Sequence, residues 1–426
     1  MAEEALLTTP QLRPRRRRRM RRGPLVVLGY GLNVAATGIS TIIAIPLMVS
    51  IGGVSSWAAA AVGQSIGIIV TIVVGYGWAL SGPAIVARAF PGDYSTVLTE
   101  SRRTRLFLLL PTLAIAGLFC YFLVPNGANR FALLGIVSTG LLGLRLNWFL
   151  IGKSKPFVML IAEAIPRLLG IALGLYLMFV FRDMSFALLG QIAGILAGVL
   201  VCSLWIRRYI RPYSDLPHRP VNRLRENLLE HRFGMAAAIV SAIYSSGPLL
   251  MLGYTSPSSV GPYAVMDRLS KQMFTAASPL VDALRGWVPH RDGVVRRSRA
   301  RAALLGSLLA SAAAGGVLAL WGSSLVNMLS AGQVHPDGWA ALLFGLTFAL
   351  SIFSMVLGQV VLVSLDMTRQ LFHNGLIGSV IGLLLVVPMS LILGMHGVFA
   401  ALCCGHIVVI SCNTIAFKRS SRESIR

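Results

Sequence analysis

The sequence predicts an all-α integral membrane protein with about twelve transmembrane helices, arranged as two pseudo-symmetric six-helix bundles. Three observations carry that prediction. The 426 residues are 55% hydrophobic and only 12% charged, with a mean hydropathy of +0.74, far more apolar than the roughly half-apolar, quarter-charged mix of soluble domains. The apolar residues fall into runs of about 20, the length a helix needs to cross a bilayer. The basic residues collect in alternate connections between those runs, as expected when one set of loops stays in the cytoplasm.

Taken in order, the expected spans lie near residues 25–50, 57–80, 106–124, 130–150, 156–180, 185–206, 233–252, 260–284, 302–329, 338–365, 373–394 and 396–417. The eighth is the least apolar because it carries Asp267, Arg268 and Lys271. Arginines from Arg13 to Arg22 precede the first span. A secretory signal has an apolar stretch of only about 7–15 residues, whereas residues 25–50 are long enough to remain in the bilayer. The residues after the arginines, Gly23, Pro24 and Leu25, do not complete a twin-arginine motif.

The loops test this map independently. Arg88, Arg102, Arg103 and Arg105 follow span 2, Lys153 and Lys155 follow span 4, and Arg207 to Arg232 hold seven arginines after span 6. Arg291 to Arg301 follow span 8, Arg369 follows span 10, and Lys418, Arg419, Arg422 and Arg426 close the chain. The opposite loops offer Arg130 and Arg182. An even number of spans then puts both termini in the cytoplasm, and the expected setting is a bacterial inner membrane. The net charge of +23 therefore marks topology; it forms no folded basic face of the kind that binds nucleic acid. The N-terminal arginines are expected to fix orientation, with attraction to anionic membrane lipids secondary.

The organisation is a basic tail (1–24), a six-helix bundle (25–206), a cytoplasmic linker (207–232), a second bundle (233–417) and a short tail (418–426). Leu224, Leu228 and Leu229 among charged neighbours suggest a short amphipathic surface helix in the linker. The halves are faintly self-similar: Pro46 and Pro248 occupy the first helix of each, and Val54-x-x-Trp57-Ala58 recurs as Val260-x-x-Tyr263-Ala264. Such weak repetition marks many transporters, and paired prolines can hinge matching helices. Gly190-x3-Gly194-x3-Gly198, Gly170-x3-Gly174 and Gly378-x3-Gly382 predict close helix packing.

At these residues the chain resembles the Wzx-type polysaccharide flippases of the multidrug/oligosaccharidyl-lipid/polysaccharide exporter superfamily. The matching stretches are Ile45-Pro46-Leu47 through Gly52, Trp57 and Gln64 to Gly77, then Asn147-Trp148-Phe149 with Gly152 and Lys153. Leu252-Gly253, Val260-Gly261-Pro262-Tyr263 and Pro289 complete them. The resemblance implies a V-shaped, two-bundle fold like that of the MATE transporters. It implies alternating access that moves an undecaprenyl-diphosphate-linked oligosaccharide between leaflets for surface polysaccharide or O-antigen synthesis. Implied partners are the lipid-linked substrate, membrane lipids, a polysaccharide polymerase and glycosyltransferases. Twelve spans, against fourteen in some members, favour the O-antigen, capsule or teichuronic-type branch.

An ionisable residue deep in a bilayer costs about 2.5–3.5 kcal/mol on insertion scales and therefore calls for a reason. Glu163 and Arg167 are four apart, a spacing that stacks them on one helix face and allows them to pair. Asp267, Lys271, Thr275 and Ser278 form a polar stripe beside Arg268. The functional reading gives Arg167, Arg268 and Lys271 to the diphosphate of a lipid carrier, whose charge suits guanidinium forks; the structural reading makes Glu163–Arg167 and Asp267–Lys271 neutral pairs. Arg145, Asp282, Arg285 and Asp366, near cytoplasmic ends, read as structural. Gln64, Gln191 and Gln359 suit either sugar hydroxyls or interhelical bonds.

Neither His335 nor His406 has a ligand-like neighbour, and Cys120, Cys202, Cys403, Cys404 and Cys412 show no metal spacing, so no metal site and no cofactor is expected. Two other classes remain. A MATE-type drug or organic-cation antiporter needs a carboxylate for its coupling ion, and Glu163 or Asp267 offers one. A membrane polysaccharide polymerase or ligase usually carries a sizeable outer loop, which this chain lacks; no catalytic residue is expected.

Overall fold

The computed structural model describes residues 23–123, 129–329 and 335–423. The Arg13 to Arg22 run lies outside the described residues, as do the side chains of Pro46 and Arg268. Among the described residues the chain is helical with no strand, and nine stretches are long and apolar enough to cross a membrane. The protein is a multi-pass helical membrane protein.

Helix α1 (Gly23–Gly75) takes in the first expected span and most of the second without an intervening loop; the break between them is a kink at Gly53, where φ is +73°. That left-handed value is open to glycine at no steric cost. After Tyr76 and Gly77, both at positive φ, α2 (Trp78–Arg88) carries the rod on. α3 (Tyr94–Leu123) follows. α4 (Asn129–Gly140) and α5 (Asn147–Gly152) form one interrupted rod, joined through a 3-10 turn at Leu141–Leu144. α6 (Pro156–Met159) leads through a π turn (Leu160–Ala164) into α7 (Ile165–Phe181), and α8 (Ser185–Ile210) closes the first half.

The second half begins with α9 (Leu224–Thr255), so the leucines expected to form a separate surface helix are its first turns. Then come α10 (Pro257–Trp287), α11 (Gly293–Leu329), α12 (Gly338–Met355) with a π turn at Val356–Leu362, α13 (Thr368–Leu393) and α14 (Met395–Glu423). With α1 counted as two rods at its kink, the helices fall where the apolar runs predict spans.

Each half has its own core. Met48, Ile136, Met178 and Leu188 centre one cluster of the first half, and Trp78, Trp148, Phe149 and Ile206 the other. In the second half the centres are Phe344, Phe348, Val386 and Phe399, and then Val356, Val360 and Val361. The glycine series act as their spacing predicts. A Cβ on Gly170 would collide with the backbone of Gly190 and Gly194, and one on Gly378 with Gly405 and Val409. Only hydrogen at these positions lets α7 approach α8, and α13 approach α14, so closely. Leu110 and Ile115 of α3, Leu320 of α11 and Ile392 of α13 point outward, which suits contact with lipid.

The two bundles touch at the end where the basic loops gather. Gly77 abuts Gly234. Ser81 Oγ lies 3.1 Å from His231 Nδ1, whose ring packs 4.2 Å from that of Trp78. The linker is strapped to α3 through buried Glu100, which accepts hydrogen bonds from Arg219 Nη2 at 2.6 Å and Asn222 N at 2.9 Å. Asn227 Nδ2 donates to Glu100 O at 3.0 Å and Thr104 Oγ1 at 2.9 Å.

Candidate functional site

The intramembrane charges are divided between two pockets, one in each bundle. In the first bundle, the turn between α4 and α5, the π turn, α7 and α8 enclose a cavity of about 10 Å³ lined by Arg145, Glu163, Arg167, Gly198 and Cys202 among others. That is room for about one water molecule. Glu163 does not pair with Arg167 as its spacing predicts; its carboxylate binds Arg145 Nε. The physical reason is the π turn. The extra residue in Leu160–Ala164 rotates Glu163 out of the i,i+4 register with Arg167 and towards Arg145 in the turn between α4 and α5, a common use of π-bulges. Arg167 packs against α8, where a Cβ on Gly194 would sit 3.0 Å from its Cα. It makes no ion pair with any described residue.

In the second bundle a cavity of about 640 Å³ is lined by α9, α10, α12, α13 and α14 and reaches Ala79 and Leu80 of α2. Such a volume is typical of a small-molecule site. Lys271 Nζ donates to Asp267 Oδ2 at 2.6 Å in its wall, so this pair forms as its i,i+4 spacing predicts. Deeper, Ser351 Oγ lies 2.7 Å from His406 Nε2, and the Tyr244 ring stands edge-on to that imidazole at 5.4 Å. Phe274, Phe344, Phe348 and Phe399 supply aromatic faces, and Ser241, Ser270, Thr347 and Ser379 supply hydroxyls. On the lining, Arg285 donates to Gln359 and stands 3.4 Å from Asp282.

Arg167 and Lys271 are therefore not brought to one place, and they face separate pockets. Arg268 shares α10 with Lys271. Arg145 and Arg285, read as structural from their positions, prove to line the pockets. For Arg285 the i,i+3 spacing to Asp282 is a signal in the sequence; for Arg145 none exists, since its partner is 18 residues away. Among the described residues no group of His, Cys, Asp or Glu is arranged to hold a metal ion.

No protein-family model matches the chain, and no curated protein matches it either. Solved structures do. A MATE transporter in a bent conformation aligns at a TM-score of 0.72 and 15% identity, over 95% of this chain and 96% of that one. The Vibrio cholerae MATE transporter VcmN, in a point-mutant form, aligns at 0.69 and 13% identity, over 95% and 97%. A Pyrococcus furiosus MOP-superfamily transporter, described as having a binding pocket of reverse polarity, aligns at 0.67 and 14% identity, over 93% and 94%. Near-complete coverage in both directions at these scores means that the chain has the helical membrane transporter fold of the MATE transporters of the MOP superfamily.

Proposed function

We propose that the protein flips an anionic, lipid-linked oligosaccharide across the cytoplasmic membrane by alternating access, with both termini in the cytoplasm. The cargo class is an undecaprenyl-diphosphate-linked repeat unit destined for surface polysaccharide such as O-antigen. The partners are the glycosyltransferases that build it and the polymerase that consumes it. The reading needs no covalent step by this chain. One observation carries it: four basic side chains (Arg145, Arg167, Lys271, Arg285) line the two pockets against three acids, Glu163, Asp267 and the Asp282 that stands beside Arg285, leaving one positive charge in surplus. An interior with surplus positive charge in a low dielectric attracts an anion and repels a cation.

In a strain lacking the gene, lipid-linked repeat units should accumulate on the inner leaflet and surface polysaccharide should fall. The wild-type chain should restore export, and Arg167→Glu should not, although it accumulates as folded protein. Normal export in the deletion strain overturns the reading. A second reading, the MATE-type drug antiporter, is favoured by the Asp267 carboxylate in the larger cavity, which can take a coupling ion. Drug resistance conferred by the wild-type chain and lost in Asp267→Asn, with surface polysaccharide unaffected, would establish that reading instead.

A further inference from the structure

The closed contact at the basic end is built like an occupied anion site. The Arg88 guanidinium of α2 forks both carboxylate oxygens of Asp366, in the turn before α13; this contact joins one bundle to the other. Arg291, before α11, donates to the carbonyl oxygens of Arg88 at 3.0 Å and Ala89 at 2.6 Å and lies over the Phe90 ring at 4.2 Å. Arg296 stands within electrostatic reach of both Arg88 and Asp366, and its buried Nε has no hydrogen-bond partner among the described residues. Lys153 lies within reach of Arg291. Arg88 and Arg296 thus flank one paired carboxylate, with Arg291 anchored on the backbone of Arg88 beside them. Glu230 of α9 is a further carboxylate within reach of Asp366.

The carboxylate is also the component easiest to displace. Its side chain is 66% exposed against 18% for Arg88, and its backbone holds φ +63°, a left-handed value that costs a non-glycine residue energy. An exposed ion pair contributes little by itself. A phosphate offers more acceptor oxygens and more charge to the same guanidinium forks.

We infer that Arg88, Arg291 and Arg296 form a phosphate-recognition gate in which Asp366 is the resident anion, and that a diphosphate headgroup displaces Asp366 and so releases the two bundles at this end. The exchange is non-covalent: N–H donors pass from carboxylate to phosphate oxygens, and the freed turn moves away with α13. The inference rests on the anionic-cargo reading, and it assigns recognition to the gate before any deep pocket is reached.

The test uses the full chain in lipid nanodiscs, with spin labels at Arg103→Cys and Val294→Cys on the two bundles in a background without the native cysteines. The label separation is read by pulsed electron resonance. Asp366→Asn without ligand should shift the distribution to longer separations, and the swap R88D/D366R should return it, which also shows that the variants fold. In the wild type, inorganic pyrophosphate and farnesyl diphosphate should each produce the shift, and Arg88→Gln with Arg296→Gln should lose the response. A shift with farnesyl diphosphate alone supports the gate and names a lipid headgroup as its ligand; a shift with pyrophosphate alone supports the gate for free phosphates. If neither diphosphate moves the wild type, displacement is overturned even where Asp366→Asn opens. If the diphosphates act but the deletion strain exports polysaccharide normally, the gate stands and the oligosaccharide reading falls.

Discussion

The two bundles bury their charge in opposite ways. In the first, an acid and two arginines are pressed into a space for about one water, between helices whose backbones are kept close by glycine. In the second, Asp267 and Lys271 open on a cavity about sixty times larger. The same chemical motif, a carboxylate beside a base, is therefore expensive to disturb on one side and cheap on the other.

The largest expected effect tests that contrast directly. Glu163 is 8% exposed and Arg145 24%, so Glu163→Gln removes the carboxylate with which Arg145 is paired. Breaking a buried pair from one side costs about 3–5 kcal/mol. Asp267→Asn breaks a pair whose lysine is 47% exposed to the cavity, where water screens the loss to about 1 kcal/mol or less. Melting of the two variants in detergent should separate them clearly, Glu163→Gln unfolding at much the lower temperature. Equal shifts would show that both pockets are equally dry.

Glycine substitutions sharpen the same comparison at intermediate size. A Cβ on Gly190 meets the backbone of Gly170 and Gly174, which cannot turn aside. Gly190→Ala should therefore cost about 1–3 kcal/mol, the usual penalty of overpacking. Gly375 lines the larger cavity with nothing within 4 Å of its would-be Cβ. Gly375→Ala should be neutral or stabilising by up to about 1 kcal/mol through helix propensity, read in the same melting experiment. If Gly375→Ala instead melts lower by a similar amount, the second bundle packs as tightly as the first.

The helices were legible because bilayer thickness fixes an apolar length. Gly170, Gly190 and Gly378 were legible because small-residue spacing has one common physical use in a membrane. Glu163 misled because i,i+4 reasoning presumes a regular α-helix, and nothing in Leu160–Ala164 announces the π turn. The gate was invisible for another reason: Arg88 and Asp366 are 278 residues apart, and a pairing across two bundles leaves no periodicity to read. The larger cavity likewise depends on five helices, each of which reads singly as an ordinary span.

The smallest effect belongs to the contact zone between the halves. Lys153, in the turn between α5 and α6, donates to Val86 O at 2.8 Å and to Tyr94 Oη at 2.6 Å. Burial first, and then the charge of Arg291, lowers its ammonium to about 8, against about 10.4 for a free lysine. The depressed value means that the folded state releases this proton before the unfolded chain does. Stability is therefore gained as pH rises through 8, and the gain is complete once the pH passes the unfolded value. Melting temperature followed from about pH 7 to about pH 10 should contain a rising component that Lys153→Met lacks. Because Arg291 belongs to the second bundle and Lys153 to the first, Arg291→Gln should move the onset of that rise to higher pH; an onset unchanged by Arg291→Gln would mean that burial within the first bundle alone depresses Lys153, and that the halves are electrically independent at this end.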